Sequence, residues 1–273
     1  FKQVLRNSDA TLRVGRLKAD IGEETFTDNP VEAILINNSV PIVAGYDEGI
    51  QLFGTTKGAS PVRYSVGMLN DSAGTGASLG SPGAFLKLSG NPDAAKKVYL
   101  SGSYYRTDDM PAANTTEVRG CGLGGAPAGA VQWRRNLWEV DATLNYLGGN
   151  PPYGGYGRKG AYGGRLSYGQ VSDNALGGGV DRDGDYWHVE GLVNLSPAAY
   201  LAARYSDLSL DRGVAATIAG VPAANAVSRL QIGLGYRLSP LAVAKIEYLL
   251  NDEKRAAGEL NNDALTLGVS AKF

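Results

Sequence analysis

Leu230-Gln231-Ile232-Gly233-Leu234-Gly235-Tyr236-Arg237-Leu238 alternates without a slip between apolar and small or polar residues. After Ser239-Pro240 the chain starts again, with Ala242, Ala244, Ile246, Tyr248 and Leu250 set against Lys245 and Glu247. Successive side chains of a β-strand point to opposite faces, so this strict period of two describes strands with one apolar and one polar face. The same rhythm predicts about twelve strands, at 10–20, 47–56, 61–70, 84–90, 96–107, 131–147, 160–171, 184–196, 198–210, 226–238, 240–251 and 262–273. Helix-period stretches are nearly absent. The apolar rows are clearest in Val62, Tyr64, Val66 and Met68, in Trp138, Val140, Ala142, Leu144 and Tyr146, and in Trp187, Val189, Val193 and Leu195.

Charge decides what the apolar rows face. They hold no Lys, Arg, Asp or Glu, while the opposite rows carry Arg63, Lys97, Glu139, Asp141, Arg165, His188, Glu190, Arg204, Arg229, Arg237, Lys245, Glu247 and Lys272. A charge on a lipid-facing row costs about 2–4 kcal/mol at mid-bilayer, so such segregation is what lipid enforces. The links also alternate in length. Long ones cover 21–46, 71–83, 108–130, 211–225 and 252–261, and short ones 57–60, 91–95, Ser196-Pro197 and Ser239-Pro240. That is the rhythm of a barrel with short turns at one rim and long loops at the other. The Gly/Pro-rich link Gly148 to Lys159 breaks it. Tyr104, Tyr168, Trp187 and Tyr248 then fall near one rim and Tyr146, Tyr236 and Phe273 near the other, as interfacial girdles require. The fold read from the residues is all-β, an antiparallel transmembrane β-barrel with residues 1–273 as one domain.

Composition agrees. The chain has 38 Gly, and 15 Tyr against 5 Phe, and a mildly polar mean hydropathy of -0.17. No run of about 18 apolar residues offers a spanning helix, whereas a spanning strand needs only about 9–11 residues, every second one apolar. A net charge of -1 gives no reason to expect a nucleic-acid partner.

The closing segment Leu265-Thr266-Leu267-Gly268-Val269-Ser270-Ala271-Lys272-Phe273 resembles the C-terminal assembly signal of bacterial outer-membrane proteins. Leu12-Arg13-Val14-Gly15-Arg16-Leu17-Lys18-Ala19-Asp20-Ile21-Gly22-Glu23-Glu24 resembles a strand-to-loop segment of the phosphate-selective porins O and P. Gly49-Ile50-Gln51-Leu52-Phe53-Gly54 and Tyr64-Ser65-Val66-Gly67-Met68-Leu69-Asn70-Asp71 resemble that family's next two strands. The likeness covers the first quarter of the chain and its last strand. It implies a trimeric channel of 16 strands in the bacterial outer membrane, a loop folded into the pore, and N-terminal strands beyond those present here.

Candidates for chemistry are few. Cys121 lies alone in Gly120-Cys121-Gly122-Leu123-Gly124-Gly125 and reads as a loop thiol. His188 is the one histidine; alternation turns it to the lumen, where no second catalytic element is evident, so an enzyme is not expected. Asp181-Arg182-Asp183-Gly184-Asp185 has its Gly fourth, where a calcium loop needs it sixth, and reads as a solvated acidic turn. Neither a metal nor a cofactor is expected. The lumen rows are the informative set: eight basic residues, Arg63, Lys97, Arg165, Arg204, Arg229, Arg237, Lys245 and Lys272, against Glu139, Asp141, Glu190 and Glu247. Such an excess in a narrow channel concentrates anions, which with the resemblance implies a passive porin for small hydrophilic solutes, anions and phosphate among them. The alternative is a structural barrel whose long loops, 108–130 and 211–226, hold an extracellular partner.

Overall fold

The computed structural model describes residues 9–24, 30–43, 45–58, 60–70, 82–92, 97–112, 123, 125–144, 160–212, 217–218, 221–222, 224–255, 260 and 262–272. Cys121, Tyr146, the whole Gly148 to Lys159 link and Phe273 lie outside them. Fifteen strands follow in order: β1 (Thr11–Lys18), β2 (Tyr46–Thr55), β3 (Val62–Leu69), β4 (Gly83–Gly90), β5 (Val98–Thr107), β6 (Met110–Pro111), β7 (Gln132–Leu144), β8 (Tyr162–Leu176), β9 (Arg182–Asn194), β10 (Ala199–Arg212), β11 (Thr217–Ile218), β12 (Val221–Pro222), β13 (Ala224–Ser239), β14 (Ala242–Arg255) and β15 (Ala264–Ala271). Thirteen of them make one antiparallel sheet, in which twelve pair each with the next, from β1 at one edge to β15 at the other. Among the described residues the sheet is not closed by a β1–β15 pair. The short β6 pairs with β7, and β11 with β12.

The period of two survives into three dimensions. Val66, Met68, Leu86, Leu88, Leu100, Val140, Leu144, Leu166, Val189, Leu201, Ile232, Leu234 and Ile246 are exposed on the outer face, while the residues between them are buried on the inner one. Leu230 to Leu238 spans about 27 Å along β13. At a tilt near 40° this covers about 20 Å of membrane normal, close to the apolar band of a spanning barrel. An aromatic row closes that band at the long-loop rim. Trp138 and Tyr168 meet edge to face at 5.5 Å, and Trp187 packs on Tyr205 at 5.2 Å. Trp138 Nε1 donates to Gln170 (3.1 Å) and the Tyr168 hydroxyl to Asp185 (3.0 Å), so each ring has an apolar body and a polar tip.

The reading of 172–183 as a link is corrected. β8 runs on to Leu176 and β9 begins at Arg182, leaving a tight turn with Gly177, Gly178 and Gly179 all at positive φ. The acidic turn is therefore mostly strand. Arg182 points inward and is buried, Asp183 and Asp185 point outward above the aromatic row, and Asp181 alone stays in the turn, accepting from the Ala175 amide at 2.9 Å. Alternation forces this split, because neighbours on a strand cannot share a face.

Candidate pore constriction

The β-ladder places the inward side chains in rows that cross the whole sheet. One runs Thr55, Arg63, Ser89, Ser101, Asp141, Ser167, His188, Ser206, Arg229 and Asn251, neighbour by neighbour. The row beside it on one side holds Lys87, Ser103, Glu139, Gly169 and Tyr186; on the other it holds Thr143, Arg165, Glu190, Arg204 and Gln231. Charged residues thus alternate with Ser and Gly. The small residues leave space above the wall, and the first long link fills it.

This link leaves β1 and lies across the lumen as a strap. Gly22 makes the entry turn at φ +66°, where a Cβ would run into the Glu139 carboxylate. Its amide donates to Ser103 Oγ (3.0 Å), and its carbonyl accepts from Lys87 Nζ (2.6 Å). Lys87 also pairs with Glu23 (2.9 Å) and Asp20 (3.3 Å). Glu24 reaches the other wall, accepting from the Ser39 amide (2.8 Å) and hydroxyl and pairing with Arg204 (3.1 Å). Burial pushes the Glu24 carboxyl up, but Arg204, His188 and Arg165 outweigh it and hold the group below its ordinary range.

From Pro30 to Val40 the strap is fixed mainly by its backbone. The Val40 amide donates to Ser206 Oγ (3.1 Å) and the Asn37 amide to Glu247 (3.0 Å), as does the Ile36 amide. The Asn37 carbonyl accepts from Arg204 and Gln231, each at 3.0 Å. Lys245 Nζ donates to the carbonyls of Pro30 (2.7 Å), Ala33 and Leu35 (3.3 Å), and Lys272 reaches Glu32 at 3.3 Å. Apolar contacts complete the seal, with Ile34 and Leu35 in one cluster with Leu192, Tyr200, Ala202 and Val243. Leu35 sits where a Cβ on Gly233 would be.

Most of the predicted lining residues meet at this strap: Glu139, Asp141, Arg165, His188, Glu190, Arg204, Arg229, Lys245 and Glu247. Arg237 lies past it, donating to Asn194 (2.8 Å) with its guanidinium over Tyr200. Arg63 lines a separate cavity, and Lys97 is exposed beside the turn before β5. Two expectations are corrected. The lumen wall is not polar throughout: Leu69, Phe85, Tyr105, Leu137, Val171, Tyr186, Leu208 and Val227 face inward and pack on Ile21, Val40, Val43 and Leu123. Nor does an eight-to-four basic excess describe the interior. Among the described residues six buried cations face nine buried carboxylates.

The pairs are close. Glu190 bridges Arg165 (2.6 Å) and Arg204 (2.6 Å), and Asp173 binds Arg135 (2.7 Å) and Arg182 (2.9 Å through Nε). Arg135 and Arg182 further donate to the carbonyls of Leu123 (3.1 Å) and Gly125 (2.9 Å), pinning part of a second long link. Sequence reasoning missed Lys87, Arg135, Asp173 and Arg182. For Lys87 and Arg135 the signal was present, since each keeps the inward parity of its strand. Asp173 and Arg182 lay in the supposed link.

His188 does have a serine beside it, Ser167 Oγ lying 3.2 Å from its Nε2. The Ser167 proton, however, goes to Asp141 (2.5 Å), Asp141 also accepts from Ser101 (2.7 Å), and Ser167 is fully buried. A serine whose proton is committed to a carboxylate and which no substrate can reach is wall structure.

No family model and no curated protein matches this sequence. Solved structures do match its shape. In-vitro folded OmpT, an outer membrane protein of Vibrio cholerae, superposes with a TM-score of 0.60 at 10% identity over 96% of this chain and 76% of its own. The fold is that of an outer-membrane β-barrel. The outer membrane channel DcaP of Acinetobacter baumannii (TM-score 0.55, 12% identity, 94% and 69% coverage) and a refined porin (0.54, 13%, 98% and 78%) share it. At this identity the likeness is one of fold, and each of the three barrels extends beyond the length matched here.

Proposed function

We propose that this chain is a passive channel of the bacterial outer membrane, passing small hydrophilic solutes around the strap. The observation that carries the reading is the strap itself. A segment whose backbone and carboxylates are fastened to both walls narrows a lumen without the second catalytic element a hydrolase would need. We propose anion preference for a narrower reason than a basic count. Arg229 donates to Asn251 (2.7 Å) and to the Asn38 carbonyl (3.4 Å), Arg237 to Asn194, and Lys245 to three carbonyls. These contacts set cations of β13 and β14 against neutral acceptors, and cations so placed add a positive field in a low-dielectric channel. Phosphate among those anions, and assembly as a trimer, are the finer form of the proposal. The resemblance to porins O and P supports the first, and the trimer form described for Vibrio cholerae OmpT the second.

A second reading has its own observation. The apolar packing of Val40, Val43 and Leu123 against the inner wall suits a barrel that presents its loops to a partner rather than one that conducts. Planar-bilayer recording separates the two. The channel reading expects steady conductance, a reversal potential on the anion side, and a shift toward cations in Arg229→Gln/Arg237→Gln. Absence of conductance supports the interaction barrel, and wild-type cation selectivity refutes the anion preference.

A further inference from the structure

The outer wall is indented at the short-turn rim of β3, β4 and β5 by an open apolar groove of about 350 Å³. Val62, Leu88 and Leu100 form its sides, and Pro61 and Pro92, from the turns before β3 and after β4, close its end. Its floor is glycine. Gly90 lies between Val62 and Leu100 on the ladder, and Gly102 lies beside Leu88 in the next outward row. Neither is at positive φ, and a Cβ on Gly102 would meet nothing within 4 Å. Backbone geometry and crowding therefore do not call for glycine at 102. Glycine inside a strand weakens it and often marks the close approach of a ligand.

Position, charge and size say what approaches. Leu86, Leu88 and Val140 beside the groove belong to the exposed apolar rows, so it opens into the membrane, and its short turns put the proline end at the periplasmic leaflet. By sequence the two turns that frame it carry Lys57, Lys96 and Lys97 against Asp93, and Lys57 and Lys97 are exposed. The short turns at Ser196-Pro197 and Ser239-Pro240 carry no charge. Three strands make the groove about 10 Å wide, and Leu88 to Pro92 make it about 14 Å long. That strip suits one hydrocarbon chain and falls far below the roughly 800 Å² each partner buries in a stable protein pair. We propose that the groove holds one acyl chain of an anionic glycerophospholipid, with the phosphate at the lysine-bearing turns. Apolar walls take the methylenes, and lysines at a membrane surface attract anionic headgroups. The proposal needs the barrel in its membrane and does not depend on conduction.

The test is native mass spectrometry of the full chain, folded and delipidated in detergent, then titrated with palmitoyl-oleoyl phosphatidylglycerol or with phosphatidylcholine of the same chains. Phosphatidylglycerol should be retained at one per chain, with half-saturation at a concentration at least five-fold lower than for phosphatidylcholine. Gly102→Leu fills the groove with a side chain the membrane face accepts, and should weaken both lipids at least five-fold. Ala203→Leu adds the same bulk to the exposed outer face of β10 and should leave retention at the wild-type level. Lys57→Gln/Lys97→Gln should bring phosphatidylglycerol to the level of phosphatidylcholine and leave the latter unchanged. Each variant is first confirmed as a heat-modifiable barrel. Equal retention of the two lipids by the wild type overturns the proposal, as does wild-type retention in Gly102→Leu, an equal loss in Ala203→Leu, or a phosphatidylglycerol preference that survives the lysine changes. Self-association that Gly102→Leu abolishes, with no lipid retained by the wild type, overturns it too and makes the groove a contact between copies.

Discussion

Arg204 is the fastening on which the strap's position should depend most. Its Nε and NH2 hold Glu190 at 2.7 and 2.6 Å, and its NH1 holds Glu24 at 3.1 Å and the Asn37 carbonyl at 3.0 Å, with the side chain 4% exposed. In Arg204→Gln, Glu190 keeps Arg165, whereas Glu24 loses the guanidinium that offsets its burial. Removing one partner of a buried pair costs about 3–5 kcal/mol. The Glu190–Arg165 pair that remains confines most of that cost to the strap. The wall is held by its backbone ladder, so the loss should appear as undocking of the segment after β1 and not as unfolding of the barrel. The expected result is a larger single-channel conductance and faster proteolysis between residues 21 and 45, with heat-modifiable mobility unchanged. Adding Glu24→Gln removes the stranded charge and should recover at least 1 kcal/mol of docking, because an apolar or neutral pair is often no worse than the buried ion pair it replaces. Conductance and proteolysis identical to wild type in Arg204→Gln would refute the assignment. So would a double variant no better docked than the single one.

Other outcomes follow from the same contacts. Because the Glu24 pKa is depressed in the docked strap, its contribution should be complete above the ordinary carboxylate range and fade as pH falls through the lowered value; conductance should rise there in the wild type and not in Glu24→Gln. Leu234→Arg places a charge on the outer face and should cost about 2–4 kcal/mol in urea unfolding from lipid, whereas Asn174→Arg, exposed above the aromatic row, should be neutral. Gly22→Ala forces a Cβ at φ +66° against Glu139 and should destabilise docking by about 1–2 kcal/mol, read as accelerated proteolysis of the strap.

Much of the architecture was legible because lipid imposes a rule that local sequence must obey. Each long strand lies within a few residues of its alternating stretch, and Leu234, Ile246 and Val140 face outward as their parity demands. Legibility failed where the rule stops. Above the aromatic row the outer face meets water, so Asp183 and Asp185 are allowed there, and the end of β8 looked like a loop. Inside, the lumen rows were identified correctly, but parity cannot say what lies over them. Arg165, Glu190 and Arg204 read as three pore charges; the ladder makes them one ion-paired cluster, and the strap buries it. The serines opposite were unremarkable in the sequence, yet Ser103 and Ser206 mark where the strap passes.

The strap also bears on how the barrel is made. Lys245 meets the carbonyls of Pro30, Ala33 and Leu35 across 215, 212 and 210 residues of chain, and Lys272 meets Glu32 across 240. Contacts between residues so distant in sequence form late, after the intervening loop has been closed by other pairings. The hairpins from β2 to β13 can zip up between near neighbours and bring Arg204, Ser206 and Gln231 to Glu24, Asn37 and Val40, while Lys245, Glu247 and Lys272 are still to come. Arrival of β14 and β15 supplies Lys245, Glu247 and Lys272 together, so the Pro30 to Asn37 part of the strap gains its full set of fastenings only when these strands are in place, and complete docking of the strap marks the completion of folding.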